Sequence, residues 1–503
     1  MNPIFNSLPN KREKYNKFPL SHERKLSFNM GDLVPIMLQE VMPADKFKCN
    51  TDVFVRLAPM LAPIMHRVNL YVHYFYVPSR LLYADWNDAI TGGKDGKFEP
   101  GFPYLQVQAG TPPDFTRKGT LWDYFGLPTT PDTIYRDLSV SAMPFRAYYL
   151  IWREFYRDQN LNNDDDFVTT GGPVEPPEVG QITDLRKRCW EKDYFTSCLP
   201  TAQRGDSVRI PYGSDDPIAD HIIDRLSGNP VTGALSAANG DLVANGEDVY
   251  IDPQNMATIN DFRRAEKLQQ WLEKAMRGGG RYKEFLWNFF NVNSSDARLQ
   301  RPEYLGGGKQ GIIISEVLAN AYSVDADANI VPQGNQSGHG ISAGTGHGFK
   351  RFFEEHGYVI GIMSVVPRTA YQQGVHRMWQ RFDKMDYPWP QFAHIGEQEV
   401  MSDELVISWG NAETNKTFGY QSRYAEMKFQ GDTVHGDFRD NLDFYHMGRK
   451  WTSPPTLNES FVTADPTHRI FAVTDPEVHK LYAQVYHNLS VLRKLPYFGT
   501  PSI

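Results

Sequence analysis

Four local patterns in this 503-residue chain carry residue types that could do chemistry. Gly340-Ile-Ser342-Ala-Gly344 has the letters of a nucleophile elbow, in which a strained strand-to-helix turn presents a serine for attack. The preceding residues PQGNQSGH show no strand pattern, and the whole stretch Val331 to Gly348 is expected to be a long loop, so the match is set aside. Gly306-Gly-Gly-Lys309 suggests a phosphate loop, but Glu303 stands where that loop needs glycine and Gln310 where it needs Ser or Thr. A flexible turn leading into a strand at Ile312–Ile314 is the expectation there. Asp325-Ala-Asp327-Ala-Asn329 opens like a calcium loop, then places Ile330 and Gln336 where Gly and a bidentate Glu belong. Cys49, Cys189 and Cys198 lack the paired spacing of a zinc site and are too few for a disulfide framework. No histidine pair has helical metal-ligand spacing. The sequence therefore indicates no catalytic residue, no cofactor and no metal, bound calcium included, and the expectation is a protein that is not an enzyme.

Positioning elements are mostly short strands, punctuated by 34 prolines and 40 glycines. Val68–Val77 and Tyr358–Val366 are β-branched and aromatic runs ended by proline. Glu404–Trp409 and Tyr424–Phe429 read the same way. No regular strand–helix alternation joins them, which argues against a doubly wound α/β fold. Two helices are expected over the sheets. One opens at Pro144 with Phe145, Tyr148, Trp152 and Phe155 on one face; the other runs from an Asn260 cap through Phe262, Ala265, Leu268, Leu272 and Ala275 to a stop at Gly278.

Hydrophobic residues at 41% and charged residues at 22% describe a globular chain. No apolar run could span a bilayer and the N-terminus has no secretory pattern. Net charge is −8, which does not mark a dedicated nucleic-acid binder. Charge is uneven, however. The N-terminal segment carries Lys11, Arg12, Lys14, Lys17, Arg24 and Lys25, whereas 158–184 is an acidic loop without Lys or Arg. Residues 213–249 contain no aromatic residue although aromatics make up 13% of the chain, and they are expected to form an exposed insertion.

Ordered strings along the chain resemble a known family. They are Phe18-Pro-Leu-Ser-His22, Gly31-Asp-Leu-Val-Pro35, Phe75-Tyr-Val-Pro78-Ser-Arg-Leu81, Ser294 through Gly307, Gly361-Ile-Met-Ser-Val-Val-Pro-Arg368, Phe392-Ala-His-Ile-Gly-Glu-Gln398, Phe418-Gly-Tyr-Gln421 and Leu495-Pro-Tyr-Phe-Gly499. Together they look like the major capsid protein of the Microviridae, tailless single-stranded DNA bacteriophages, and most closely its gokushovirus-like branch. The resemblance spans nearly the whole chain outside roughly 160–255. It implies a mainly β fold, an antiparallel jelly-roll sandwich with large loop insertions and a few helices, in one domain over 1–503. It implies a T=1 icosahedral shell built from copies of the chain, found in the virion and assembled in the host bacterial cytoplasm. The implied partners are packaged circular single-stranded DNA, scaffolding and pilot proteins, and a bacterial surface receptor.

Within that reading, 213–249 is the candidate threefold protrusion for host attachment. Lys11, Arg12, Lys14, Tyr15 and Lys17 are the candidate DNA-facing residues, with Phe18 a second stacking group; a basic arm gripping a neighbouring subunit fits them equally. Trp379, Tyr387 and Trp389 fit a subunit interface or an aromatic core. The rivals are a jelly-roll carbohydrate-binding or adhesin-like protein and a carbohydrate-active enzyme.

Overall fold

The computed structural model describes residues 14–130, 133–163, 165–208, 259–318, 336–407 and 415–498, with short strands at 222–224, 235–238, 241–244, 247–251, 323–324 and 330–331. Lys11, Arg12, Asp164, Trp409, the Asp325–Asn329 pattern and most of 213–249 lie outside the described residues.

Ten strands build two facing antiparallel sheets. They are β1 (Asn16–Pro19), β2 (His22–Phe28), β3 (Val34–Val41), β4 (Lys46–Leu57), β5 (Val68–Pro78), β6 (Glu303–Gly311), β7 (Ile313–Leu318), β8 (Gln336–Phe352), β9 (Gly357–Pro367) and β10 (Leu481–Arg493). In the first sheet β10 pairs β1 and β2 on one side and β4 on the other, and β8 and β7 follow. The second sheet runs β6, β5, β9, β3. Every one of these pairings is antiparallel.

Between the sheets lies an apolar core that includes Val53, Val55, Val485 and Leu489 from the first sheet and Ile36, Val72, Val359 and Val365 from the second. A buried polar chain crosses it. The Tyr74 hydroxyl lies 2.5 Å from Thr51 Oγ1, which lies 2.9 Å from His487 Nδ1, while His487 Nε2 reaches the Ile36 carbonyl at 2.9 Å. The carbonyl can only accept, so Nε2 carries the proton, Thr51 donates to Nδ1 and Tyr74 donates to Thr51. Every member is satisfied with the imidazole neutral. Burial pushes the His487 pKa down to about 4, consistent with that neutral form.

Residues 79–302 join β5 to β6, and side chains between Leu81 and Leu185 cover the outer face of the second sheet. Helix α1 (Met143–Ile151), with the wider turn Trp152–Tyr156 behind it, buries Phe145, Tyr148 and Ile151 in a second core with Trp122, Phe75, Val77, Ile360 and Ile362. Helix α2 (Pro176–Thr183) lies against α1. Arg146, 1% exposed, donates to the Glu178 carboxylate at 2.7 Å and to the Leu82 and Thr170 carbonyls. The acidic loop 158–184 is thus partly a packed helix, because Glu178 neutralises a buried guanidinium. Asp158 is also engaged, 2.6 Å from Lys192.

Other local expectations are corrected. Most of the Val331–Gly348 loop is strand β8. Its glycines leave room for neighbouring backbone: a Cβ on Gly338 would collide with the Ala62 carbonyl and one on Gly348 with the Cys49 carbonyl. Gly306-Gly-Gly-Lys309 is likewise not a turn but part of β6. Glu404 begins no strand, since Ser402–Leu405 is a helical turn held by the Glu404 carboxylate, which accepts from the Met401 amide and the Tyr194 hydroxyl. Tyr424–Phe429 is a 3-10 turn at Ala425–Met427, pinned by buried Glu426 between Arg381 and Gln398. The helix from Asn260 forms as α3 (Ile259–Gly278), but of its apolar face only the C-terminal end, at Ala275, is buried. Phe262, Leu268 and Trp271 are exposed, and the Trp271 ring packs on those of Phe285 and Phe289 from α4 (Tyr282–Phe290).

Candidate assembly and nucleic-acid surfaces

The structure describes three of the four chemical patterns, and in each the side chains are engaged in other contacts or buried. Ser342 sits in mid-strand, 2% exposed, donating to the Gly311 carbonyl at 2.9 Å and accepting from Gln310 at 2.8 Å. No strand-to-helix turn follows it, which removes the strain the elbow needs. Lys309 pairs with Glu191 at 2.9 Å and covers the Tyr71 ring, so its charge is already met. Burial raises the thiols of Cys49 and Cys189 to about 11 and that of Cys198 further, away from thiolate reactivity. Among the described residues no group of three His, Cys, Asp or Glu side chains is placed to hold a metal ion.

What the fold does present is unpartnered surface. Trp379, Tyr387 and Trp389 do not enter a core; they are 69%, 54% and 45% exposed, on one segment with Phe382 at 90%. The segment is held by its own backbone contacts: the amides of Phe382 and Asp383 donate to Asp386, and the Trp389 indole donates to the Lys384 carbonyl at 2.8 Å.

The N-terminal candidates separate. Lys14 is exposed, and Lys17 points outward from β1. Tyr15 lies between two ammonium groups, with Lys46 Nζ 4.8 Å and Lys494 Nζ 5.5 Å from its ring centroid. Phe18 is not free for stacking, because it packs on the Tyr497 ring at 5.4 Å. Sequence reasoning did not single out Lys46, Lys48, Lys350 or Lys494. The alternation Lys46-Phe-Lys48-Cys at the start of β4 was the available sign of an outward basic face.

Comparison with known proteins agrees on one description. The family model for the capsid protein (F protein) matches residues 7–503. Capsid protein VP1 of Bdellovibrio phage phiMH2K is 34% identical, and that of Chlamydia phage 1 is 33% identical; each match covers 99% of this chain and 97% of the relative. Capsid protein VP1 of Spiroplasma virus 4 is 28% identical across 97% of this chain and 95% of the relative.

Proposed function

The chain belongs to the phage capsid protein (F protein) family and is a major capsid protein of small single-stranded DNA phages, and on that premise we propose that its copies close into a T=1 icosahedral shell around a circular single-stranded genome. The observation that carries this is a match to capsid proteins along essentially the whole chain.

We read the two sheets as a jelly roll. Supporting this, β2, β10, β4 and β8 are neighbours in one sheet and β3, β9, β5 and β6 in the other, so that each sheet interleaves early and late strands. The long connections then hang outside the sandwich, where copies meet around symmetry axes. The exposed segment bearing Trp379, Tyr387 and Trp389 is our candidate for such a contact. The 213–249 insertion is our candidate for host attachment; the strands described there pair with one another in a four-stranded sheet of their own. Packaged DNA, scaffolding and pilot proteins and a bacterial receptor complete the proposed partners, with assembly in the host cytoplasm.

Electron microscopy of the expressed full chain tests the reading. Uniform icosahedral particles are expected. A monomer or open trimer that never closes under any assembly condition would instead favour the adhesin-like alternative. Deleting 213–249 should leave the particles intact and abolish attachment to host cells; loss of assembly would make that segment a contact between copies.

A further inference from the structure

We propose that the uncovered side of the first sheet is a binding surface for single-stranded nucleic acid and lines the inside of the shell. Its location relies on the capsid reading above; the binding itself does not.

The two sheets differ in what covers them. Side chains between Leu81 and Leu185 close off the outer face of the second sheet, whereas β4 and β10 of the first alternate between buried residues and residues open to solvent. On this open face, side chains from four strands fall into cross-strand rows. One row reads Lys17, Leu492, Lys46, Phe352 across β1, β10, β4 and β8; the next reads Pro19, Ser490, Lys48, Lys350. Lys494 and Lys46 flank Tyr15 beside the first row. Five lysines with sequence positions from 17 to 494 thus converge on one end of one face.

Two features of this cluster fit an anion from outside the chain. First, among the described residues none of the five ammonium groups has an ion-pair partner, although lysines elsewhere, such as Lys283 with Asp296 and Lys309 with Glu191, do. Second, Lys48 and Lys350 stand directly opposite each other in the ladder, a like-charge pairing that costs stability unless an anion bridges it. The acids of this face, Glu23 and Asp52, share the row of Tyr486, separated from the lysines by the Asn50–Asn488 row.

Aromatic groups accompany the charge: Tyr15 and Phe352 within the cluster, and Tyr482 and Tyr486 farther along, are 38%, 46%, 41% and 37% exposed. Cations that follow a phosphate backbone, interleaved with rings on which any base can stack, suit single strands without sequence preference. A rigid sheet holds them at fixed spacing, about 7 Å along a strand and about 5 Å between strands.

The test uses the full chain in unassembled form with a fluorescent oligo-dT as probe. In the triple variant Lys46→Gln, Lys48→Gln, Lys350→Gln, the dependence of log affinity on log salt should lose about 2 units of slope, near 0.7 per phosphate contact removed. Neutralising the exposed lysines Lys94, Lys97 and Lys267 should leave the slope unchanged. Shells of the triple variant should hold less nuclease-protected DNA. Photocrosslinking of iodo-dU oligonucleotide to the unmutated chain does not depend on the variants folding; adducts should fall on peptides containing Tyr15, Phe352, Tyr482 or Tyr486. An unchanged salt slope, or adducts confined to other peptides, would overturn the proposal. So would a triple variant that binds DNA normally but fails to assemble, which would make the face a contact between copies. Because binding is read on unassembled chains, failure to form shells would count against the capsid reading and not against this one.

Discussion

The two sheets are both antiparallel but have opposite surroundings. In β9, ten of eleven positions are buried, because one side faces the opposing sheet and the other faces the cover formed by side chains between Leu81 and Leu185. In β10 buried and exposed positions alternate nearly to the end. The difference teaches where partners must come from. The second sheet obtains its second layer from its own chain, through α1, Trp122 and the buried Arg146–Glu178 pair. Nothing in the described chain covers the first sheet's outer face, and that face carries a lysine cluster interleaved with Leu492, Phe352 and tyrosine rings.

The contrast can be broken by mutation, beginning with the largest expected effect. Phe75→Ala removes a ring packed on Phe155 at 4.8 Å beneath the cover and should cost about 4 kcal/mol in urea unfolding of unassembled chains. Arg146→Met leaves the Glu178 carboxylate buried and unpaired, and should cost about 3 kcal/mol in the same assay. A loss under 1 kcal/mol at both positions would mean that the cover is not integral to the second sheet.

A pH effect follows from His487, between the sheets, and His73, which faces the cover with Nδ1 2.8 Å from the Tyr156 hydroxyl. Burial lowers both to about 4, and nearby Arg188 adds to the effect at His73. An unfolded histidine titrates near 6.5, so the folded state resists protonation. Stability should be full above about pH 6.5, decline as pH falls toward about 4 and level off below. Each histidine contributes a slope of at most about 1.4 kcal/mol per pH unit. Unfolding midpoints at pH 7, 6 and 5 check this, and His487→Gln should remove its share of the slope. The smallest effect belongs to the open face: Tyr486→Ala should change stability by no more than about 0.5 kcal/mol. A loss as large as that of Phe75→Ala would erase the distinction between the sheets.

Much of this division was legible in the sequence. Val68–Val77 and Tyr358–Val366 are β-branched and aromatic runs ended by proline, and they became the doubly covered strands β5 and β9. Helix α1 announced itself through Pro144 and one aromatic face. Strand β8 was hidden because its glycines, placed for close backbone approach, read locally as loop. Glu404 and Glu426 misled in the other direction: their β-branched and aromatic neighbours looked like strands, whereas each carboxylate is a buried anchor for a turn. The N-terminal cations were visible because they are contiguous. The lysine face was not, because β1, β4 and β8 each bring only one or two members, Lys494 follows β10, and only the antiparallel register aligns the strands. Likewise, the outward rings of α3 gave a helical period that said nothing of whether the same chain would cover them.

The most direct test is a cryo-electron microscopy reconstruction of particles assembled from the full chain. The account predicts a closed T=1 shell in which β2, β10, β4 and β8 turn their lysine face toward the lumen. Particles that do not close, or a shell with that face on its outer surface, would contradict it.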